Sequence, residues 1–128
     1  MKPIRQIYNI KAPIAEVWKG LTEPKYINEW GGGPSKMKAE KGFEFSFWGG
    51  DIWGKNTEVI NEKKLVQEWY GDKWPKPSIA AFVLENNDGK TVLTLAHSDV
   101  PEAEVDDFAS GWKDFYLGPM KEYLENKK

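Results

Sequence analysis

His97 is the only histidine of the chain, and histidine is the side chain best suited to proton transfer near neutral pH. It follows Leu93 and Leu95 at steps of two residues, so all three side chains share one face of a predicted strand and point towards the interior. A lone histidine in such a position is more often a hydrogen-bonded core residue than a catalyst. We therefore expect a structural role for His97, and proton transfer stays open as the alternative.

The inventory of reactive side chains excludes several kinds of site. The chain has no cysteine, which rules out disulfides, thiolate metal sites and cysteine nucleophiles. A single histidine also rules out a metal site built from several histidines. No nucleophile elbow of the G-x-S-x-G type is present. We therefore expect no catalytic residue, no metal and no cofactor.

Seven tryptophans in 128 residues are the unusual feature of the composition. Trp53, Trp69 and Trp112 stand in segments with regular apolar spacing, so they either line a ligand cavity or fill the core under a curved sheet. Core filling is the more common role for any single tryptophan. A set of large rigid side chains around one helix is also what a preformed apolar pocket requires, so both interpretations stay open.

Trp74 differs from the other tryptophans because it stands between Lys73 and Pro75, in a stretch typical of a loop. An exposed aromatic side chain beside a lysine is a candidate anchor for a protein partner. Trp74 is therefore our candidate partner-binding residue, and we expect it to be more exposed than Trp18, Trp69 or Trp112.

Net charge and chain length limit the partners and the number of domains that we expect. The net charge is −2 at pH 7 and lysine and glutamate residues are interspersed, so neither nucleic acid nor a membrane is favoured as a partner. The sequence has no apolar run of the length that a signal peptide or a membrane span needs. We expect one domain over residues 1–128 and a cytoplasmic location.

The longest regular pattern, over residues 100–124, predicts one amphipathic helix at the end of the chain. Its apolar positions recur at alternating steps of three and four residues: Val105, Phe108, Trp112, Phe115 and Pro119. We expect this helix to begin between Asp99 and Ala103. Gly111 and Pro119 each disfavour a regular helix, and we expect a bend near Gly118 and Pro119.

The preceding sequence predicts two short helices and an antiparallel sheet. Apolar residues at helical spacing follow Pro13 and Pro24, with Thr22 as the expected N-cap of the second helix. The glycine run and proline at residues 31–34 favour a loop over a phosphate site. Alternation with a period of two residues then predicts a meander of hairpins. The expected strands are Ile4–Ile10, Gly42–Phe47, Ile52–Ile60, Leu65–Tyr70, Ser78–Leu84 and Thr91–Ser98.

A series of short motifs is specific in its order and spacing. In the first half of the chain the motifs are Ala12-Pro13, Val17-Trp18, Leu21-Thr22, Trp30, Gly42-Phe43, Gly54 and Glu58. In the second half they are Leu65-Val66, Thr91, Leu93-Thr94-Leu95, His97, Gly111-Trp112 and Tyr123-Leu124. With these motifs the chain resembles the activator of Hsp90 ATPase homologue family, within the START-like, birch-pollen-allergen-like superfamily.

The resemblance implies an α+β fold of the helix-grip type. In this fold a curved antiparallel sheet wraps around a long C-terminal helix, with two short helices after the first strand, and the space between sheet and helix is often a cavity for lipid-like or aromatic ligands. Our leading hypothesis is therefore non-catalytic binding of a small apolar ligand in that cavity. The pocket candidates are Phe45, Phe47, Trp53, Trp69, Phe82, Leu95, His97, Phe108, Trp112, Phe115 and Tyr116.

The same resemblance implies an alternative partner. The tracts from Leu65 to Tyr70 and from Gly111 to Tyr116 look like the C-terminal domain of the co-chaperone that gives the family its name. The alternative function is therefore a protein-interaction domain that contacts a chaperone, with Trp74 as the candidate contact residue.

A third hypothesis is an acid–base enzyme. Glu58 stands where family members often carry an acidic residue, and a carboxylate beside His97 in one cavity would allow proton transfer. Alternation places Asn56, Glu58 and Ile60 on one face of a strand without identifying which face. A surface carboxylate is the more common case, so this hypothesis ranks last.

Overall fold

The computed structural model describes residues 3–70 and 76–126. In that part of the chain, six strands and two short helices precede a long helical segment, which confirms the α+β class and the predicted order of elements. The helices and strands are β1 (Ile4–Ile10), α1 (Ile14–Thr22), α2 (Pro24–Trp30), β2 (Glu44–Phe47), β3 (Ile52–Ile60), β4 (Lys64–Tyr70), β5 (Ser78–Asn87), β6 (Lys90–Ser98), α3 (Val105–Gly111) and α4 (Leu117–Asn126).

The described strands form one antiparallel sheet in the order β1-β6-β5-β4-β3-β2. Successive side chains of a strand point to opposite faces, so every second residue reaches the core. On β6 the inward side chains include Leu93, Leu95 and His97, all fully buried. The sheet curves around the C-terminal helical segment, which gives the helix-grip arrangement.

The hairpin between β5 and β6 closes through the shortest kind of turn. Asn87 pairs with Lys90, and the two residues between them, Asp88 and Gly89, have φ values of 53° and 79°. Positive φ at both central positions defines the turn type whose twist matches that of the flanking strands. The predicted antiparallel pairing of these strands is confirmed, and both extend further into the turn than alternation indicated.

Strand β3 contains a bulge that alternation did not predict. Asn56 pairs with Gln67 and Glu58 with Val66, so Thr57 is an extra residue in β3. One extra residue reverses the inward and outward faces of the rest of the strand. Before the bulge Asn56 is buried on the same face as Gly54, whereas after the bulge Ile60 points outwards, so Asn56 and Ile60 do not share a face.

Helices α1 and α2 close one end of the sheet. Thr22 is the last residue of α1 and not the N-cap of α2: its hydroxyl donates to the Trp18 carbonyl at 2.8 Å, and Glu23 occupies the cap position. The α2 side chain Trp30 donates its indole N–H to the Gly20 carbonyl at 2.9 Å, which ties the two helices together.

The C-terminal segment is helical from Glu102, within the expected range, and becomes α-helical at Val105. Residues Trp112–Tyr116 form a wider π-helical turn, in which the Leu117 N–H donates to the Trp112 carbonyl five residues back. A β-carbon at Gly118 would overlap the Lys113 carbonyl oxygen, so this turn requires glycine there. The bend expected at residues 118–119 stays a prediction; α4 runs through these residues, and the π-helical turn lies immediately before them.

Candidate functional site

A cavity of about 180 Å³ lies between the C-terminal helical segment and the sheet. Its walls are almost entirely aromatic and apolar. We call it the aromatic pocket; the described residues that line it are Trp48, Ile52, Trp69, Asp107, Phe108, Gly111, Trp112, Phe115 and Tyr116. Phe115 is 66% exposed, so the pocket is open to solvent on that side.

The helical wall of the aromatic pocket follows from residue spacing. Phe108, Gly111, Trp112 and Phe115 fall at i, i+3, i+4 and i+7, which is one face of a helix. Gly111 has ordinary helical dihedral angles, φ −62° and ψ −40°, and a β-carbon built on it would meet no atom within 4 Å. The space of the pocket beside the helix therefore exists in part because residue 111 has no side chain.

The opposite wall includes Trp48, in the turn between β2 and β3. Its backbone is in the left-handed region, with φ 51°, which is unfavourable for a bulky residue. The indole N–H donates to the Gly31 carbonyl at 2.8 Å, and the Trp48 backbone N–H donates to the Gly32 carbonyl at 2.8 Å. The glycine loop after α2 thus holds the Trp48 turn against the pocket, which gives that loop a structural role.

His97 lies behind the pocket and is fully buried. Its Nδ1 accepts the indole N–H of Trp112 at 3.0 Å, and its Nε2 lies 2.7 Å from the Ser78 hydroxyl oxygen. Burial lowers the pKa of His97 to about 4, so the imidazole is neutral at pH 7. With Nδ1 accepting, the proton resides on Nε2 and is donated to Ser78. His97 is therefore a hydrogen-bonded core residue in this structure.

A chain of buried amides supports the second tryptophan of the wall. The Trp69 indole N–H donates to the Gln67 side-chain oxygen at 2.8 Å, and the Gln67 amide donates to the Asn56 side-chain oxygen at 3.0 Å. The Asn56 amide in turn donates to the backbone carbonyls of Lys38 and Glu40. Because each buried polar side chain in this hydrogen-bond network has a partner, the network fixes the orientation of Trp69.

Tyr116 packs beneath the pocket against several rings, with centroids 4.6 Å from Trp30 and 4.8 Å from Trp112. Its hydroxyl is buried and has no hydrogen-bond partner among the described residues. Burial therefore raises the pKa of Tyr116 strongly, and the phenol stays neutral.

The structure separates the predicted pocket residues into three groups. Trp69, Phe108, Trp112, Phe115 and Tyr116 line the aromatic pocket. A second group lies buried in the core that supports its walls: Phe45, Phe47, Phe82, Leu95 and His97.

The third group is Trp53 alone, and here the expectation is corrected. Trp53 lies on the outer face of the sheet, 48% exposed, and stacks on Tyr70 of the neighbouring strand with ring centroids 4.6 Å apart. Its neighbour Gly54 faces inward, so alternation turns Trp53 away from the pocket. Trp74, the predicted partner anchor, lies outside the described residues.

Glu58 and His97 are not brought together. Glu58 is on β3 and His97 on β6, and two strands, β4 and β5, lie between them in the sheet. The Glu58 carboxylate is half exposed and forms an ion pair with Lys64 at 3.4 Å. The geometry for the proposed acid–base pair is therefore absent from the described structure.

Four lining residues were not predicted: Trp48, Ile52, Asp107 and Gly111. Trp48 lies in a turn, where no periodic pattern indicates which way a side chain points. Gly111 carried a usable signal, since a glycine inside an amphipathic helix costs stability and requires a reason.

No helix within residues 3–70 and 76–126 has the length and apolar character needed to cross a membrane. In the same part of the chain, no group of three or more histidine, aspartate or glutamate side chains is arranged to hold a metal ion.

The chain is similar to proteins that share this fold. It is 24% identical over 109 residues to the human protein named "Activator of 90 kDa heat shock protein ATPase homolog 1", a match that covers 84% of this chain and 32% of that protein. The chain thus spans less than half the length of that relative.

Two solved structures superpose over nearly the whole chain. An HSP90 activator from Plasmodium falciparum matches with a TM-score of 0.89 and 18% identity, over 97% of this chain and 96% of the other. The solution structure of an Aha1 dimer from Colwellia psychrerythraea matches with a TM-score of 0.86 and 23% identity, over 100% and 99%. At these identities the two structures show the fold.

The family is shown by the match to a family model. Residues 11–125 match the model described as "Activator of Hsp90 ATPase homolog 1-like protein". This match covers the two N-terminal helices, the strands from β2 to β6 and the helical wall of the aromatic pocket. The chain therefore belongs to the activator of Hsp90 ATPase homolog 1-like family.

Proposed function

We propose that this protein binds a small apolar molecule in the aromatic pocket, without catalysing a reaction. One observation carries the proposal: Gly111 has helical dihedral angles, and its lack of a side chain leaves the pocket open. Alanine would favour the helix by about 1 kcal/mol at such a position. If residue 111 served only to pack the helix against the sheet, a residue with a side chain would be favoured there. A ligand site instead requires the space that glycine leaves.

The size of the pocket indicates the size of the ligand. A dry apolar cavity of about 150 Å³ in another protein accepts benzene. The aromatic pocket, at about 180 Å³, is slightly larger and is also open to solvent beside Phe115. It therefore suits one aromatic ring or a compact branched alkyl group, with any remainder of the ligand outside.

The walls are held in place before a ligand binds. Trp112 packs against Trp69 with centroids 4.7 Å apart, and the indole N–H of each is fixed by a buried partner. Rigid walls lose little conformational entropy on binding, which favours affinity for a small ligand.

Toluene is a suitable probe, and the indole N–H signals of the tryptophans report its position by NMR. We expect toluene to shift the signals of Trp48, Trp69 and Trp112, which line the pocket. The signals of Trp18, which is buried elsewhere, and of Trp53, on the outer face, should stay unchanged as internal controls.

A matched pair of variants tests whether the pocket itself is the site. Gly111→Leu places a side chain in the pocket and should abolish the shifts. Ser110→Leu adds the same side chain at the preceding, exposed position and should preserve them. Equal shifts in Gly111→Leu and the wild type, or no saturable shift in the wild type, would contradict the proposal.

A second candidate function is contact with a 90-kDa heat shock protein. It is supported by the family and by Phe115, a large apolar side chain exposed at the rim of the pocket. Adding the chain to a purified 90-kDa heat shock protein should then raise its rate of ATP hydrolysis, and Phe115→Ser should reduce the effect. An unchanged rate at saturating concentration would remove this candidate.

A further inference from the structure

The aromatic pocket has almost no hydrogen-bond donors to offer a ligand. Its three described tryptophans each donate the indole N–H elsewhere: Trp48 to Gly31, Trp69 to Gln67 and Trp112 to His97. The Tyr116 hydroxyl is buried without surface in the pocket. A carboxylate or phosphate placed here would lose its hydration without gaining donors, which is strongly unfavourable.

The charge at the pocket has the opposite sign from what an anionic ligand would need. Among the described lining residues, Asp107 is the one that carries a charge. The surrounding segment, residues 102–114, contains five acidic side chains and one lysine. This arrangement repels anions and attracts cations.

We infer that the ligand of the aromatic pocket carries an alkylated ammonium group, whose methyl groups enter among the rings while its positive charge faces Asp107. The inference rests on the proposed function and narrows it: the groups that enter the pocket are apolar methyl groups, and the ligand as a whole carries a positive charge. Aromatic rings attract a cation through their negative faces, and a wall of tryptophan, tyrosine and phenylalanine supplies several such faces.

The small number of hydrogen-bond acceptors in the pocket lining favours a methylated ammonium group over a primary one. A primary ammonium has three N–H donors, each of which needs an acceptor when it leaves water. The described lining offers the Asp107 carboxylate for this purpose. A quaternary ammonium has no N–H to satisfy and presents apolar methyl groups to an apolar wall, so it loses less on entering.

The critical comparison uses three compounds of nearly equal shape: choline, 3,3-dimethylbutan-1-ol and 3,3-dimethylbutanoate. Choline carries its positive charge at the branched end, the alcohol has a neutral carbon in that place, and the acid keeps the neutral branched end and carries a carboxylate at the other end of the skeleton. Titration of the indole N–H signals should show choline binding roughly three- to thirty-fold more tightly than the neutral alcohol. The anion should bind more weakly than either.

Two variants test the position of the charge. Asp107→Asn should weaken choline binding and leave the neutral alcohol unchanged. Asp106→Asn makes the same change in net charge one residue away, at an exposed side chain that does not line the pocket, and should leave both affinities unchanged. Equal losses of choline binding in the two variants would overturn the contact between Asp107 and the cation.

The alkylated ammonium could belong to a free metabolite or to a methylated lysine of another protein, and a peptide probe separates these sources. Tighter binding of a short trimethyl-lysine peptide than of choline, with no binding of the same peptide carrying unmodified lysine, assigns the group to a protein. Tighter binding of choline assigns it to a free molecule.

The outcomes also separate this inference from the proposed function. Equal or tighter binding of the neutral alcohol, or binding of toluene without choline, overturns the inference and leaves an apolar ligand in place. If toluene, choline, the neutral alcohol and the anion all fail to bind, both this inference and the proposed function are contradicted.

Discussion

The indole N–H of Trp112 donates to Nδ1 of His97 across 3.0 Å, and this bond joins the C-terminal helical segment to strand β6 through the interior. Because Nδ1 accepts, neutral His97 keeps its proton on Nε2, 2.7 Å from the Ser78 hydroxyl oxygen. The imidazole thus uses both nitrogens to position a wall of the aromatic pocket. Its role is to orient Trp112 and to keep the buried polar groups paired.

The first prediction concerns the titration of His97. Burial lowers its pKa to about 4, whereas an unfolded chain has a histidine pKa near 6.5. The unfolded state therefore binds the extra proton between these values, and stability falls as the pH is lowered from about 6.5 towards 4. At pH 5 the loss should be about 2 kcal/mol relative to pH 7.5.

Two measurements check this prediction. The chain has a single histidine, so its ring signal in an NMR titration is unambiguous and should show no protonation above pH 5.5. Denaturant unfolding at pH 7.5 and pH 5 gives the change in stability. A titration midpoint at or above 6.5 would show that the imidazole is solvated and that the bond to Trp112 does not hold it.

The second prediction concerns substitutions of Trp112. Trp112→Phe keeps an aromatic ring but leaves Nδ1 of His97 without its donor, at a cost of about 1–3 kcal/mol. Trp112→Ala also removes the ring that packs on Trp69 and Phe82, so it should cost about 3–5 kcal/mol.

The expected loss of unfolding free energy for Trp112→Ala is larger than the loss expected for a residue that only borders the pocket. A side chain that only bordered a cavity would cost about 1–2 kcal/mol, because part of its surface is already unpacked. Chemical denaturation distinguishes these values. A loss below 2 kcal/mol for the alanine variant would mean that Trp112 contributes little packing beyond the pocket wall.

The third prediction compares two glycines in the same helical segment. Gly111→Ala adds a methyl group in open space at helical dihedral angles, so it should stabilise the protein by about 0.5–1 kcal/mol. Gly118→Ala would make its β-carbon overlap the Lys113 carbonyl oxygen and should destabilise the protein by more than about 1 kcal/mol. Thermal or urea unfolding of both variants measures the difference. If both substitutions changed the stability in the same direction, the π-helical turn would be contradicted.

The fourth prediction concerns the outer face of the sheet. Trp53 stacks on Tyr70 with ring planes only 3° apart, so Trp53→Ala should cost about 0.5–1.5 kcal/mol through loss of this cross-strand pair. Because the outer face is remote from the pocket, toluene should bind this variant as it binds the wild type. Loss of toluene binding would show that the ligand site includes the outer face.

The fold was predictable because its main elements carry regular patterns. The C-terminal helix keeps an apolar stripe over many turns, and strand β6 alternates cleanly from Leu93 to His97. Two irregularities had no such signal. The extra residue Thr57 in β3 and the π-helical turn at residues 112–116 each insert a single residue, and tertiary pairing determines where that residue falls.

The site was predictable only where it lies on periodic elements. Helical spacing identified Phe108, Trp112 and Phe115, which line the pocket. Alternation could not say which face of β3 points inward, so it did not exclude Trp53. Trp48 projects from a turn whose conformation depends on hydrogen bonds to a distant glycine loop, which no local pattern of residues reveals.

The most direct test of the central claim is the set of intermolecular nuclear Overhauser effects between bound toluene and the protein. We predict contacts from the toluene ring and methyl protons to the side chains of Phe108, Trp112 and Phe115, and their loss in Gly111→Leu. Contacts only to Trp53 and Tyr70 on the outer face, or no contacts at saturating toluene, would contradict a ligand site in the aromatic pocket.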